Sequence, residues 1–190
     1  PLASAPIILT SLNAEENFGY ALQAGDFTGD FRPELAVAAP TPDVSDVYIY
    51  LNNRFAPLTG KSVLHDNSRI RFDGPSGSEA GWSLGSGRFS DSGWILAQNL
   101  VVGAPSAQGA RGEVYVLPTL GGYGAGDVLD RADALTRIRG DQRGEYLGWA
   151  VATGDYTGDG KLDLALGACG RDQSAGRVYV LAGPIAKGDI

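Results

Sequence analysis

Leu147-Gly148-Trp149-Ala150-Val151-Ala152-Thr153-Gly154-Asp155 leads into Asp163-Leu164-Ala165-Leu166-Gly167-Ala168-Cys169 and then into Gly176-Arg177-Val178-Tyr179-Val180-Leu181. Short β-branched, aromatic and small apolar runs, bounded by Gly and Asp, read as strands. The same order occurs twice upstream. One copy runs Asn17-Phe18-Gly19-Tyr20-Ala21-Leu22-Gln23-Ala24-Gly25-Asp26, Glu34-Leu35-Ala36-Val37-Ala38-Ala39-Pro40 and Val47-Tyr48-Ile49-Tyr50-Leu51. The other runs Ala80-Gly81-Trp82-Ser83-Leu84-Gly85-Ser86-Gly87, Asn99-Leu100-Val101-Val102-Gly103-Ala104-Pro105 and Gly112-Glu113-Val114-Tyr115-Val116-Leu117. Gly19, Gly81 and Gly148 set periods of 62 and 67 residues, longer than helical solenoid repeats and long enough for four short strands.

A fourth strand follows each of the first two units, in Arg69-Ile70-Arg71-Phe72 and Leu135-Thr136-Arg137-Ile138. The expected architecture is all-β: a partial β-propeller over 1–190, with blades at approximately 14–74, 75–141 and 142–190. The third unit stops soon after its Val-Tyr-Val-Leu strand. Ile7-Ile8-Leu9-Thr10, at 7–10, stands where the fourth strand of a preceding blade would lie and is expected to be a closing strand. Propellers typically take four to eight blades. The expectation is therefore further blades, from a parent chain or from self-association. The absence of Met points to a processed product or a piece of something longer.

Composition agrees with a β-rich fold. The 28 glycines and 10 prolines favour turns over long helices. A net charge of −7 and a pI near 4.6, without a Lys/Arg cluster, speak against a nucleic-acid partner. No apolar run approaches the length of a membrane span, so no membrane insertion is expected. One cysteine rules out an intrachain disulfide, and no Cys/His cluster suggests zinc.

The Phe-Gly and Gly-Ala-Pro signatures, the Asp-rich loop between them and the Val-Tyr strand after them resemble the FG-GAP repeats of integrin α-subunit heads. Similar repeats occur in glycosylphosphatidylinositol-specific phospholipase D, some lectins and many bacterial surface proteins. Departures are Ala80-Gly81 and Leu147-Gly148 for Phe-Gly, Ala38-Ala39-Pro40 for Gly-Ala-Pro, and Cys169 for the proline. The resemblance implies a calcium-binding module for cell adhesion or for recognition of a protein or glycan ligand, extracellular or at the cell surface, and not itself an enzyme. Two alternatives stand beside it: a non-catalytic propeller portion of a larger secreted enzyme such as that phospholipase D, and a lectin.

Two loops carry oxygen side chains at positions 1, 3, 5 and 9. In the third repeat these are Asp155, Thr157, Asp159 and Asp163, with the Lys161 carbonyl as a further ligand and Gly160 at the bend. Calcium takes six to eight oxygens, and alternate residues of a tight loop can converge on it. The residue at position 12 is Leu166, so this is not a helix-loop-helix calcium hand. The first repeat offers Asp26, Thr28, Asp30, the Arg32 carbonyl and Glu34, but has Phe31 where the third has Gly160. Phe resists positive φ, so a strained or reshaped bend is expected there. Two Ca²⁺ sites are expected, the Asp155–Asp163 loop ahead of the Asp26–Glu34 loop. The second repeat has Arg88 at position 1, and a guanidinium cannot ligate calcium. No metal is expected there; an ion pair of Arg88 is the candidate replacement.

Other residues read as structural. His65 is the only histidine and has no triad-like context. Cys169 is expected to be a small buried thiol. Tyr20, Trp82 and Trp149 stand in phase and are expected to pack between blades, with sugar stacking as the sharper alternative. Trp94, in an insertion, is a candidate for partner contact. Gly121-Gly122-Tyr123-Gly124-Ala125-Gly126 lacks the Lys-Ser/Thr of a phosphate loop and is expected to be an interblade connection.

Overall fold

Alternate residues of a strand point to opposite faces, so a strand apolar on both faces needs a layer on each side. The runs Leu35–Ala39, Leu100–Ala104 and Leu164–Ala168 are of this kind, and each becomes a central strand. The computed structural model describes residues 8–11, 15–43, 45–52, 61–63, 69–89 and 96–190. Ile7, His65, Trp94 and the Ser90–Gly93 stretch of the second loop lie outside the described residues.

The first sheet is an antiparallel meander of β2 (Leu22–Gly25), β3 (Glu34–Pro40), β4 (Ser45–Tyr50) and β6 (Arg69–Asp73). The second repeats it with β7 (Ser83–Gly87), β8 (Asn99–Ala104), β9 (Glu113–Val116) and β11 (Thr136–Arg139). The third has β12 (Leu147–Gly154), β13 (Asp163–Ala168) and β14 (Arg177–Leu181). These are β-propeller blades, the third with three strands among the described residues. Short parallel strands flank them: β10 (Val128–Leu129) against β6, β15 (Gly188–Asp189) against β11, and β5 (Lys61–Val63) against β1 (Ile8–Thr10).

The core lies between the sheets. Ala36, Ala38, Val47, Ile49, Ile70 and Phe72 of the first meet Leu100, Val102, Tyr115 and Leu117 of the second. The opposite face of the second sheet, with Val101, Val114, Val116 and Ile138, meets Leu164 and Leu166 of the third. Full burial of each large aliphatic or aromatic side chain here contributes about 1.5–3 kcal/mol. The leading face of the first sheet, with Val37, Ala39, Tyr48 and Tyr50, is packed by Leu9 and Phe18.

The innermost strands are stitched across blades. Ser83 Oγ donates to the Gly148 carbonyl at 2.8 Å, Thr153 Oγ1 to the Ser86 carbonyl at 2.9 Å, and Gln23 Nε2 to Ser86 Oγ at 2.9 Å. The loops after β9 and β14 clamp back onto the preceding unit: Leu120 N–H donates to the Phe27 carbonyl and Ile185 N–H to that of Phe89. The glycine-rich stretch 121–126 follows directly from the first clamp. No helix among the described residues is long and apolar enough to cross a membrane.

Candidate functional site

Each Asp-rich loop joins the first and second strands of its blade. In the first, Asp26 Oδ1 accepts from the N–H of Gly29 at 2.7 Å and of Asp30 at 3.2 Å, and Oδ2 from Phe31 N–H at 2.9 Å. In the third, Asp155 Oδ1 accepts from Gly158 at 2.6 Å and Asp159 at 3.2 Å, and Oδ2 from Gly160 at 2.9 Å. The fifth-position carboxylates match too, Asp30 accepting from Arg32 N–H at 3.0 Å and Asp159 from Lys161 N–H at 2.9 Å. The two backbones follow one path.

Phe31 keeps to that path. Its φ is +64°, beside +81° at Gly160, so the bend is not reshaped but held in the left-handed region by a residue that disfavours it. Its ring is 76% exposed, so little packing compensates.

The ninth-position carboxylates differ. Both are buried, and both accept two loop N–H groups on one oxygen: Glu34 Oε2 from Phe27 at 2.7 Å and Thr28 at 3.2 Å, Asp163 Oδ2 from Tyr156 and Thr157 at 2.8 Å each. Asp163 Oδ1 takes a third backbone donor, Gly183 N–H at 2.9 Å, whereas Glu34 Oε1 takes only the Thr28 hydroxyl at 3.1 Å. The Gly183 N–H, against the effect of burial and with those of Thr157 and Tyr156, holds the Asp163 carboxyl below the usual carboxylate range. Burial pushes the Glu34 carboxyl up, and the N–H groups of Phe27 and Thr28 only partly offset it.

The two loops differ in how closely their carboxylates approach one another. Asp26, Asp30 and Glu34 bring one carboxylate oxygen each to within 4.8 Å of one another, the only such group among the described residues. Asp155, Asp159 and Asp163 occupy matching positions without converging as closely. Glu34 is one methylene longer than Asp163, and its carboxylate lies in the group that converges. Thr28 is half-buried beside it, while Thr157, Lys161 and Arg32 are exposed. The donor set of the first loop is all oxygen, anionic and short of positive charge at Glu34, which suits a hard divalent cation. A cleft of about 390 Å³ beside it, lined by Asp26, Phe31, Leu96 and Gln98, opens to solvent.

The second loop shows what sequence reasoning missed. Asn99 fills the ninth position: its Oδ1 accepts from Phe89 N–H at 3.3 Å and its Nδ2 donates to the Leu117 carbonyl at 2.8 Å. A neutral amide thus does the structural part of what Glu34 and Asp163 do. Its place at the start of the Asn-Leu-Val-Val run, in line with Glu34 and Asp163, was the available signal. Arg88 is exposed and lines a cleft with Gln98, Gly160, Lys161, Leu162 and Pro184.

The in-phase aromatics do meet across blades, but at the surface. Trp82 lies between Tyr20, with ring centroids 4.9 Å apart, and Trp149, at 4.8 Å, and Tyr146 meets Trp149 edge-on at 6.0 Å. Tyr20 is 48% and Trp149 41% exposed. Cys169 is exposed, contrary to the expectation of a buried thiol. Its counterparts Pro40 and Pro105 are buried, each with another repeat after it; among the described residues no repeat follows Cys169.

The FG-GAP repeat family model matches residues 18–51 and 147–181. Integrin alpha-PS5 of Drosophila melanogaster is 32% identical over 167 residues, 83% of this chain and 15% of that protein. Human integrin alpha-IIb is 32% identical over 112 residues, 58% of this chain and 9% of that protein. The chain thus spans a small part of the relatives it matches. With three in-phase sheets, two Asp-rich loops of one geometry and these relatives, the chain belongs to the FG-GAP repeat family, of the kind found in integrin α chains.

Proposed function

We propose that this chain is a calcium-stabilised recognition module serving adhesion outside the cell. The convergence of Asp26, Asp30 and Glu34 carries the reading. Calcium there would be held by these carboxylates with Thr28 and the Arg32 carbonyl, and would supply the positive charge that Glu34 lacks. The Asp155, Thr157, Asp159, Lys161 and Asp163 loop is the second, weaker site, because Asp163 already has its full set of backbone donors. A cation bound only by the folded state raises its stability with concentration. The row of Tyr20, Trp82 and Trp149, whose two outer rings are exposed, supports a role in contacting a protein or glycan, since aromatic faces stack on apolar surfaces of either.

Calorimetric titration with Ca²⁺, paired with thermal melts in Ca²⁺ and in excess chelator, tests the metal assignment. The stronger isotherm should vanish in Glu34→Gln while the weaker one persists, and the melting temperature should fall with chelator. Equal melting temperatures in both buffers would remove calcium from the proposal. A glycan array with and without calcium separates glycan from protein recognition.

A further inference from the structure

Gln98 lines two clefts at once. One is the cleft of about 390 Å³ beside the first loop, shared with Asp26, Phe31, Pro33 and Leu96. The other, of about 270 Å³, lies between the second and third loops and is shared with Arg88, Gly160, Lys161, Leu162 and Pro184. The two are equivalents. Each is set between the loops of successive blades, with the first position of the earlier loop on one side and the residues leading to the ninth position of the later loop on the other. Their charge is opposite. Asp26 stands at the head of the first cleft and Arg88 at the head of the second, where Lys161 of the facing loop adds another cation.

Hydrogen-bonding capacity accounts for the way Arg88 lies. Asp26 turns into its own loop because its carboxylate accepts from the N–H groups of Gly29, Asp30 and Phe31. A guanidinium only donates, so a ring of N–H groups offers Arg88 nothing. Its loop has no ninth-position carboxylate to hold it either, since Asn99 is neutral and its amide is engaged by Phe89 N–H and the Leu117 carbonyl. Arg88 is nonetheless carried on a fixed backbone. Gly87 before it pairs with Asn99, and the carbonyl of the buried Phe89 after it accepts from Ile185 N–H at 3.0 Å. Gln98 is tied in place by its own N–H, which donates to the Asp26 carbonyl at 2.7 Å. Arg88 and Lys161 are both exposed, and among the described residues neither cationic head group has an ion pair or hydrogen bond.

We propose that this second cleft is an oxyanion subsite whose occupant is a sulfate ester on a glycan. The assignment rests on the recognition reading, whose ligand it specifies, but not on calcium, because Arg88 and Lys161 themselves supply the positive charge. Arg presents a planar fork that takes two oxygens of one anion, whereas Lys is a compact point charge. A carboxylate has two oxygens and is used up by the fork. A tetrahedral oxyanion keeps further oxygens for the Lys161 ammonium and the Gln98 amide. Leu162 and Pro184 give the cleft an apolar part, which suits the C–H face of a sugar ring better than a bare ion. The net charge of −7 repels a densely charged polyanion at long range, so a sparsely sulfated sugar is the better match.

Amide NMR titration in excess chelator, at matched ionic strength, tests this with four probes: galactose sulfate, unsulfated galactose, inorganic sulfate and phosphoserine. Galactose sulfate should produce saturable shifts of the Gln98, Gly160 and Lys161 amides, and galactose none. Arg88→Gln and Lys161→Gln should each weaken binding about tenfold. Arg143→Gln, which removes an exposed cation outside the cleft, should leave binding unchanged. Arg88 and Lys161 are exposed, so both variants should keep the wild-type melting temperature. An absence of saturation would overturn the subsite, and so would a loss in Arg143→Gln equal to that in Arg88→Gln, which marks diffuse attraction. Inorganic sulfate or phosphoserine binding as tightly as galactose sulfate would overturn the glycan assignment. Because the titration is run in chelator, its failure leaves the calcium reading standing, and a melting temperature indifferent to calcium leaves this cleft standing.

Discussion

Phe31 and Gly160 hold the same left-handed corner of two otherwise matching loops, and only one of them does so without strain. A non-glycine residue there costs about 1–2 kcal/mol. Phe31→Gly should therefore stabilise the protein by roughly 1 kcal/mol, after the entropy of an added glycine is subtracted, read as a higher urea midpoint at unchanged slope. Glu145 makes a second residue-scale case. Burial pushes its carboxyl up, but hydrogen bonds from the Tyr179 hydroxyl, Gln142 N–H and Arg171, with the Arg171 charge, outweigh this and lower it below its ordinary 4.5. A depressed carboxylate stabilises above the unfolded value and loses that contribution as pH falls through the folded one. Glu145→Gln should cost about 1–3 kcal/mol at pH 7, and the gap to wild type should narrow below pH 4, as measured by urea melts at both pH values. The spacing of Asp26, Asp30 and Glu34 was legible in the sequence. Their convergence was not, because it depends on where the folded loop places each carboxylate, and partners such as Gly183, which donates to Asp163 in the third loop, lie as far as twenty residues away.

Strands were legible where both faces are apolar, as in β3, β8 and β13, and where Val and Tyr alternate, as in β4, β9 and β14. The parallel strands β5, β10 and β15 were not, since two or three residues with no periodicity leave no signal and only a neighbour's edge makes them strands. Close approach between elements is equally hidden. A Cβ on Gly103 of β8 would overlap the Gly148 carbonyl oxygen and Ser83 Oγ, where β12 and β7 meet β8. Gly103→Ala must force these strands apart and should cost about 1–3 kcal/mol. Gly122→Ala, with nothing within 4 Å, should be close to neutral in the same denaturation assay and serves as the control.

At the scale of the molecule, the in-phase repeat carried most of the fold, because each unit repeats both its strand pattern and its turn chemistry. The family model matches the first and third units and not the second, which has Arg88 at the head of its loop. The second unit nonetheless builds the same four-stranded meander, since its alternating apolar residues fill both interblade cores. Packing on both sides keeps the strands of that middle unit in place although the sequence of its loop has diverged. Exposure at the surface was the least legible property. Cys169 and Val178 are exposed because of what does not cover them, and a repeat's own residues say nothing about its neighbour.

The placement of β10 beside β6 has a consequence during synthesis. The edge of the first blade is not covered until Val128-Leu129 has been made, some 55 residues after β6 ends. At about 5–20 residues per second the nascent blade waits roughly 3–11 s with that edge open. The second blade repeats the wait, its own edge open until Gly188-Asp189 has been made.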